Sequence, residues 1–279
     1  MELMQSFFDM TLDMLSFAFM RRAIIVGLLV SLCAALLGVS LVLKKYAMIG
    51  TGLSNVGFAA MVIAGVIDVA PLTLSMPVVV ITAFILLRLN ESSKIKGDSA
   101  VALISTSGLA IGVIVMGVTT GITLHICNIL FGSIFAMTNL DMYFSVGLSV
   151  VVAAVFVLFY KQLFAVTYDE TFAKATGTKV EIYKSMLALL TAVTVVLGMR
   201  MMGALLIASL TLFPALSAMR LFKSFLYVVI ASAVIGVVCF FIGMLFSFGL
   251  DLPPGATVVG VNLVVFSVFS IYSFIRQKL

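Results

Sequence analysis

An all-α, polytopic transmembrane helical bundle of about eight to nine spans, with a short helix on its cytoplasmic face, is the fold class the sequence predicts. Of 279 residues, 63% are hydrophobic and only 10% charged, and the mean hydropathy is +1.32. A soluble domain carries nearer a quarter charged residues. The charges that exist are separated by apolar runs long enough to cross a bilayer, which takes about 20 residues as a helix. No ten-residue blocks of alternating polarity recur, so a β-barrel is excluded.

The runs follow in order. Uncharged stretches occupy 23–43, 46–67, 69–87, 99–140, 142–160, 185–199, 201–219, 224–250 and 252–275. Each predicts one span, except that the 42 residues of 99–140 hold one span plus a short re-entrant or interfacial helix. Breaking the 185–219 region differently reduces nine spans to eight.

Basic residues orient the bundle. If the loop with Lys44 and Lys45 is cytoplasmic and spans alternate, 13 Lys and Arg residues fall inside and 3 outside, of 16 in all. The outer loops instead carry Asp68, Asp141 and Asp251. This asymmetry predicts a cytoplasmic C-terminus in a multi-pass protein of a bacterial-type cytoplasmic membrane. Residues 1–22 read as an amphipathic N-terminal segment lying on the outer surface, although Arg21 and Arg22 run against that placement. The segment has neither a basic start nor a cleavage site, so it does not read as a signal peptide. The net charge of +5 reflects topology, because the basic residues are spread over several loops. A nucleic-acid partner is therefore not expected.

The cytoplasmic loop 163–184 contains YDETFAKATGTKVEIYK from residue 168. Thr167 or Asp169 can cap a helix N-terminus, with Asp169 and Glu170 suited to the first turn, and Gly177 can end the helix in a left-handed conformation. A two-turn helix over roughly 170–176 follows, which on local sequence also fits an ordinary amphipathic connector.

Chemistry-bearing residues are few. The spans lack Asp, Glu, Lys and Arg, which disfavours an ion-coupled carrier and a channel with a charged filter. There is no GxxxxGK[ST] loop to bind ATP, and no enzyme site is apparent. Within GTGLSNVGFAA at 50–60, Thr51, Ser54 and Asn55 stand out as polar residues in an apolar run. They fit interhelical hydrogen bonding, with nearby glycines allowing close packing, and they also fit the lining of a substrate pathway. His125 and Cys127 form a His-x-Cys pair that is too small for a coordination shell. Cys33 and Cys239 read as small hydrophobes, and no metal ligand is assigned. Pro214 should kink its span, with Ser209, Thr211 and Ser217 nearby to satisfy the freed backbone groups. Pro253, Pro254 and Gly255 read as an outer turn, and Asp98 as a helix-start residue.

Seven segments in sequence resemble the permeases of zinc/manganese-type ABC importers. They are SFAFMRRA (16–23), LVLKKYAMIGTGLSNVGFAA (41–60), KIKGDSAVALI (94–104), ILFGSIFAM (129–137), YDETFAKATG (168–177), GALLIASLTLFPALSAMR (203–220) and DLPPGATVV (251–259). The resemblance spans nearly the whole chain. It implies a single transmembrane permease domain over 1–279 in which 163–184 is the coupling loop and the short helix is a cytoplasmic coupling helix. It implies no cofactor on this chain. ATP and Mg would sit on a separate ABC ATPase, and a zinc, manganese or iron ion would pass only transiently. Further implied partners are an extracellular or periplasmic metal-binding protein, a second permease chain, homo- or heteromeric, and membrane lipid. Asp169, Glu170, Phe172, Ala173 and Gly177 would form the ATPase-coupling element, with Phe172 filling a groove of the ATPase. In that family the stretch at 50–60 usually carries an acid and a histidine one turn apart. Here those positions are Thr51 and Asn55. Three readings stay open: helix-packing residues, a pathway that holds its ion weakly or carries another solute, or the ligand-poor half of a heteromeric permease. A non-transporting membrane scaffold is the reading from outside transport.

Overall fold

The computed structural model of the chain describes residues 16–92, 97–119 and 139–278. Residues 1–15 of the N-terminal segment, His125, Cys127 and the second half of the 99–140 run lie outside the described residues. Among those described, eleven helices follow one another: α1 (Ala18–Leu43), α2 (Ile49–Val66), α3 (Pro71–Ser92), α4 (Gly97–Val118), α5 (Asn139–Leu158), α6 (Tyr160–Tyr168), α7 (Glu170–Ala175), α8 (Val180–Met202), α9 (Ala204–Leu221), α10 (Phe225–Leu250) and α11 (Pro254–Lys278). Eight are long and apolar enough to cross a membrane, and a ninth crossing arises if bent α5 and α6 count as one span. The all-α bundle of eight to nine spans is thus the observed architecture.

The break in the 185–219 region falls at Gly203, between α8 and α9. Its φ of 87° and ψ of 158° belong to a conformation that side chains resist. The outer turn expected at 253–255 begins two residues earlier, and Pro254 and Gly255 already belong to α11. Asp251 ends α10 in the left-handed region, and α11 starts at Pro254, whose missing N–H costs nothing in the first helical turn. The unforeseen element is α6. The chain bends by 69° after α5, and nine residues run on as a separate helix. Ring contacts hold α6 in place, with Phe164 at 4.8 Å and Tyr160 at 5.5 Å from Phe225 at the start of α10.

Burial divides the long helices into two groups. The most apolar stretches of α1, α2, α8 and α9 are 72, 67, 67 and 56% buried, while those of α3, α4, α10 and α11 are only 22, 28, 33 and 17% buried. The large exposed side chains of the second group are mostly Leu, Ile, Val and Phe, which cost nothing against hydrocarbon. Between the inner helices, side chains give way to backbone. A β-carbon at Gly38 of α1 would overlap the Thr211 carbonyl of α9, and Gly27 leaves room for Phe240 and Met202. Polar links are short and specific: the Ser232 hydroxyl donates to the Ala35 carbonyl at 3.0 Å, tying α10 to α1, and the Cys33 thiol lies 3.2 Å from the Ser149 carbonyl of α5.

Pro214 lies inside unbroken, buried α9. Two of the three hydroxyls expected to compensate it act elsewhere. Ser209 donates to Leu206 and Thr211 to Ala208, whereas Pro214 frees the carbonyl four residues back, at Leu210. The buried Ser217 hydroxyl makes no hydrogen bond among the described residues. A second intrahelical proline, Pro77 in α3, was not singled out from the sequence.

Replacing Gly38 with Ala should lower thermal stability in detergent by about 1–3 kcal/mol, the usual cost of overpacking. Gly147→Ala is the control, because nothing lies within 4 Å of its added carbon, and its melting temperature should be unchanged or slightly raised.

Candidate functional site

Among the described residues, two places concentrate polar chemistry. The first is the N-terminal half of α2. Its glycines bring neighbours in: a β-carbon at Gly50 would lie 2.7 Å from the Thr211 hydroxyl of α9, and one at Gly52 would lie 2.9 Å from Val101 of α4. Ser54 is 1% exposed, and its hydroxyl donates back to the Gly50 carbonyl at 2.8 Å, a habit of hydroxyl groups in apolar helices. The Asn55 amide donates to the Ser105 hydroxyl of α4 at 2.7 Å. Thr51 is half-buried on the same helix face as Asn55, one turn away. Of the three candidates, Asn55 therefore bridges helices, Ser54 is spent within its own helix, and Thr51 lies beside the bridge.

Ser105 was missed from the sequence, although the Ser105-Thr106-Ser107 run in a greasy span was a signal of the same kind as Thr51 to Asn55. Beside the bridge, an apolar groove of about 610 Å³ runs between α2, α3 and α4, lined by residues such as Val56, Ala60, Val78 and Ile104. The oxygens of Thr51, Asn55 and Ser105 are neutral. They can replace water around an ion but cannot offset its charge. Among the described residues, no three His, Cys, Asp or Glu side chains converge.

The second place is α7. Asp169 is its cap: the carboxylate accepts from the Thr171 and Phe172 amides at 2.9 and 3.0 Å, which resolves the choice between Thr167 and Asp169. The helix covers Glu170–Ala175, and Gly177 follows with φ of 81°. The coupling residues divide by direction. Ala173 is fully buried and packs with Val166 and Val180, so it seats the helix on the bundle. Phe172 is 63% exposed, an aromatic ring held outward on a capped turn.

Glu170 does what no local reading of the sequence could reveal. One carboxylate oxygen accepts from Lys44 at 2.9 Å, and the other pairs with Lys184 at 2.6 Å. Lys44 follows the last residue of α1, and Lys184 is the fifth residue of α8. Both ammonium-bearing side chains are buried, 6 and 8% exposed, against 39% for Glu170. Burial alone would raise the Glu170 pKa. Hydrogen bonds and attraction from Lys184 and Lys44 outweigh it and hold the carboxyl below its ordinary value. The three residues line a polar cavity of about 550 Å³ with Tyr46, Thr167, Lys174 and Glu181. This clamp also shows that the 44–45 loop and the 163–184 loop share one end of the bundle, as the charge asymmetry predicts.

Comparison with known proteins gives these features a setting. The model of the ABC 3 transport family matches residues 16–273. The chain is 30% identical over 277 residues to a Haemophilus influenzae membrane protein assigned to an iron transport system, covering 97% of this chain and all of that one. It is 27% identical to the manganese transport system membrane protein MntC of Halalkalibacterium halodurans, covering 98% and 91% respectively. In fold it matches a chain of PsaBC from Streptococcus pneumoniae in complex with Fab, with a TM-score of 0.82, 24% identity and 95% of each chain covered.

Asp169→Ala should cost α7 about 1 kcal/mol of capping energy, read as roughly fivefold faster amide hydrogen exchange at residues 171 and 172. The lowered Glu170 pKa fixes the sign of a pH effect. The clamp's contribution is fully present above the unfolded carboxyl value of about 4.3 and is lost as pH falls through the lower folded value. The stability advantage of the wild type over Glu170→Gln should therefore hold from neutrality to about pH 5 and shrink below about pH 4, as followed by thermal unfolding in detergent.

Proposed function

The chain belongs to the ABC 3 transport family, and from that premise we propose that it is the membrane-spanning permease subunit of an ATP-binding cassette importer for divalent transition-metal ions. The observation that carries the mechanism is α7: a capped, anchored helix presenting Phe172 outward at the basic end of a bundle whose long apolar runs carry no Asp or Glu. Such runs offer no carboxylate at membrane depth to couple transport to a proton or sodium gradient. Its driving force comes from a separate ATPase that grips α7 through Phe172. The ATPase carries ATP and Mg, and this chain supplies the path. Relatives named for manganese and iron transport support the substrate class.

The basic end of the bundle, with Lys44, Lys184 and α7, faces the cytoplasm, and so does the C-terminus. A second permease chain completes the pathway, and an extracellular or periplasmic binding protein delivers the ion. ATP binding draws the ATPase pair together, pushes on α7 and rocks the helices between outward-open and inward-open arrangements. Within the bundle the ion passes near Thr51 and Asn55, which offer oxygen without charge, so it is handed on rather than held.

The Asn55–Ser105 hydrogen bond favours a second arrangement of the same machine. An amide already committed to a neighbouring helix is a weak competitor for a metal. In a heteromeric pair, a different permease chain would carry the charged ligands while this chain forms the other wall.

The test is uptake of Mn²⁺, Zn²⁺ and Fe²⁺ into proteoliposomes holding the complete complex. Phe172→Asp puts a charge where an apolar contact is needed, and uptake should fall at least about tenfold, equivalent to about 1.4 kcal/mol. Undiminished uptake in that variant removes Phe172 from the coupling contact. Accumulation by the purified permease alone, without ATPase, overturns the importer assignment itself.

A further inference from the structure

A helix of six residues has too few internal hydrogen bonds to act as a lever by itself, so whatever moves α7 must be passed on through its attachments. Among the described residues there are three. One is the apolar seat of Ala173 against Val166 and Val180, which joins α7 to its immediate neighbours in the chain. A second is the exposed pair of Lys174 with Glu181 of α8 at 3.7 Å. The third is Glu170, whose two oxygens reach Lys44 and Lys184 at the ends of two largely buried helices, α1 and α8. Of these three, the Glu170 attachment is the one that reaches α1, 126 residues away in sequence.

We propose that Glu170 is the transmission residue of this permease, a two-ended ionic clamp that converts displacement of α7 into joint movement of α1 and α8. It is a positioning residue, since it acts through two helices on a path it does not touch.

Three features suit the clamp to that task. The ammonium groups are buried while the carboxylate is half-exposed, so the pairs are stronger than surface pairs yet free to shift. They border a cavity of about 550 Å³, which leaves room for the carboxylate to move without collision. And α8 packs against α2: the Met199 methyl occupies the gap left by Gly57 of α2, three residues beyond Ser54. Movement of α8 therefore bears on α2 through this contact.

The inference rests on the importer reading, and the experiment separates the two. Complete complexes of wild type, Glu170→Gln, Lys44→Met and Lys184→Met are reconstituted, and ATP hydrolysis and Mn²⁺ uptake are measured on the same vesicles. Glu170→Gln should assemble and hydrolyse ATP within about twofold of wild type while uptake falls at least about tenfold, so that ATP spent per ion rises. Each lysine variant should give a smaller rise. Combining Lys44→Met with Glu170→Gln should add little, as groups in one network do. Equal uptake by Glu170→Gln and wild type overturns the clamp, and so does a parallel loss of hydrolysis and uptake, the mark of a merely structural role. If Glu170→Gln does not assemble, the two lysine variants decide by the same ratio. Wild-type complexes that hydrolyse ATP but take up no divalent metal overturn the importer reading instead.

Discussion

Exclusion of charge from hydrocarbon is the constraint on which the rest of this structure depends. A carboxylate or ammonium within the bilayer costs several kcal/mol unless paired or wet, and the chain responds by moving nearly all its ionisable groups to the helix ends. That single choice has structural and functional consequences. The ends become the only places where strong, directional electrostatics can act, and there a buried pair of lysines with one shared glutamate ties together helices distant in sequence. The middle of the bundle must be held by other means.

Those means are small residues and recycled hydroxyls. Thr82, Thr191 and Thr194 each donate to the carbonyl four residues back, at 2.7–2.8 Å, so a polar side chain is hidden without a partner helix. Close approach then comes from glycine, as where Gly38 meets the Thr211 carbonyl and Gly198 meets Ile207 and Val30. Packing of this kind, rather than hydrophobic burial, drives helix association in lipid. Such contacts occur in inner and outer helices alike, as at Gly108 and Gly112 of α4 and Gly236 and Gly243 of α10, while the outer helices also present branched aliphatic side chains to lipid.

Much of this was legible in the sequence, for a physical reason. Span number depends on uninterrupted apolar length, and α7 depends on local rules: Asp169 to cap, Gly177 to stop. Both are properties of short stretches, and both came out within a residue or two. What escaped depends on distance in the chain. Nothing near Glu170 names Lys44, and α6 escaped because an uncharged run from 142 to 160 says nothing of a bend at its end. The hydroxyls of Ser209 and Thr211 were legible as available near Pro214, but the carbonyls they choose, Leu206 and Ala208, depend on rotamers that the sequence does not show. At Asn55 the sequence left bridge and pathway lining both open, and the hydrogen bond to Ser105 accounts for a bridge without removing the residue from the neighbourhood of a path.

The two polar regions complement each other. A permease that gripped a divalent ion with fixed charges in mid-membrane would have to release it against a deep energy well, and the transport cycle would have to supply that energy at the ligands. Neutral oxygens at Thr51, Asn55 and Ser105 make the well shallow, so on the proposed reading selection falls to the delivering protein or to a partner chain. What remains for this chain is movement in step with nucleotide, and movement needs firm mechanical linkage more than it needs affinity. Bonding differs between the two regions accordingly: charge-assisted bonds tie α7 to α1 and α8, while α2 meets α8 and α4 through close glycine-mediated packing and, toward α4, a neutral hydrogen bond. On the proposed reading, force enters where charge is concentrated and the ion passes where it is absent.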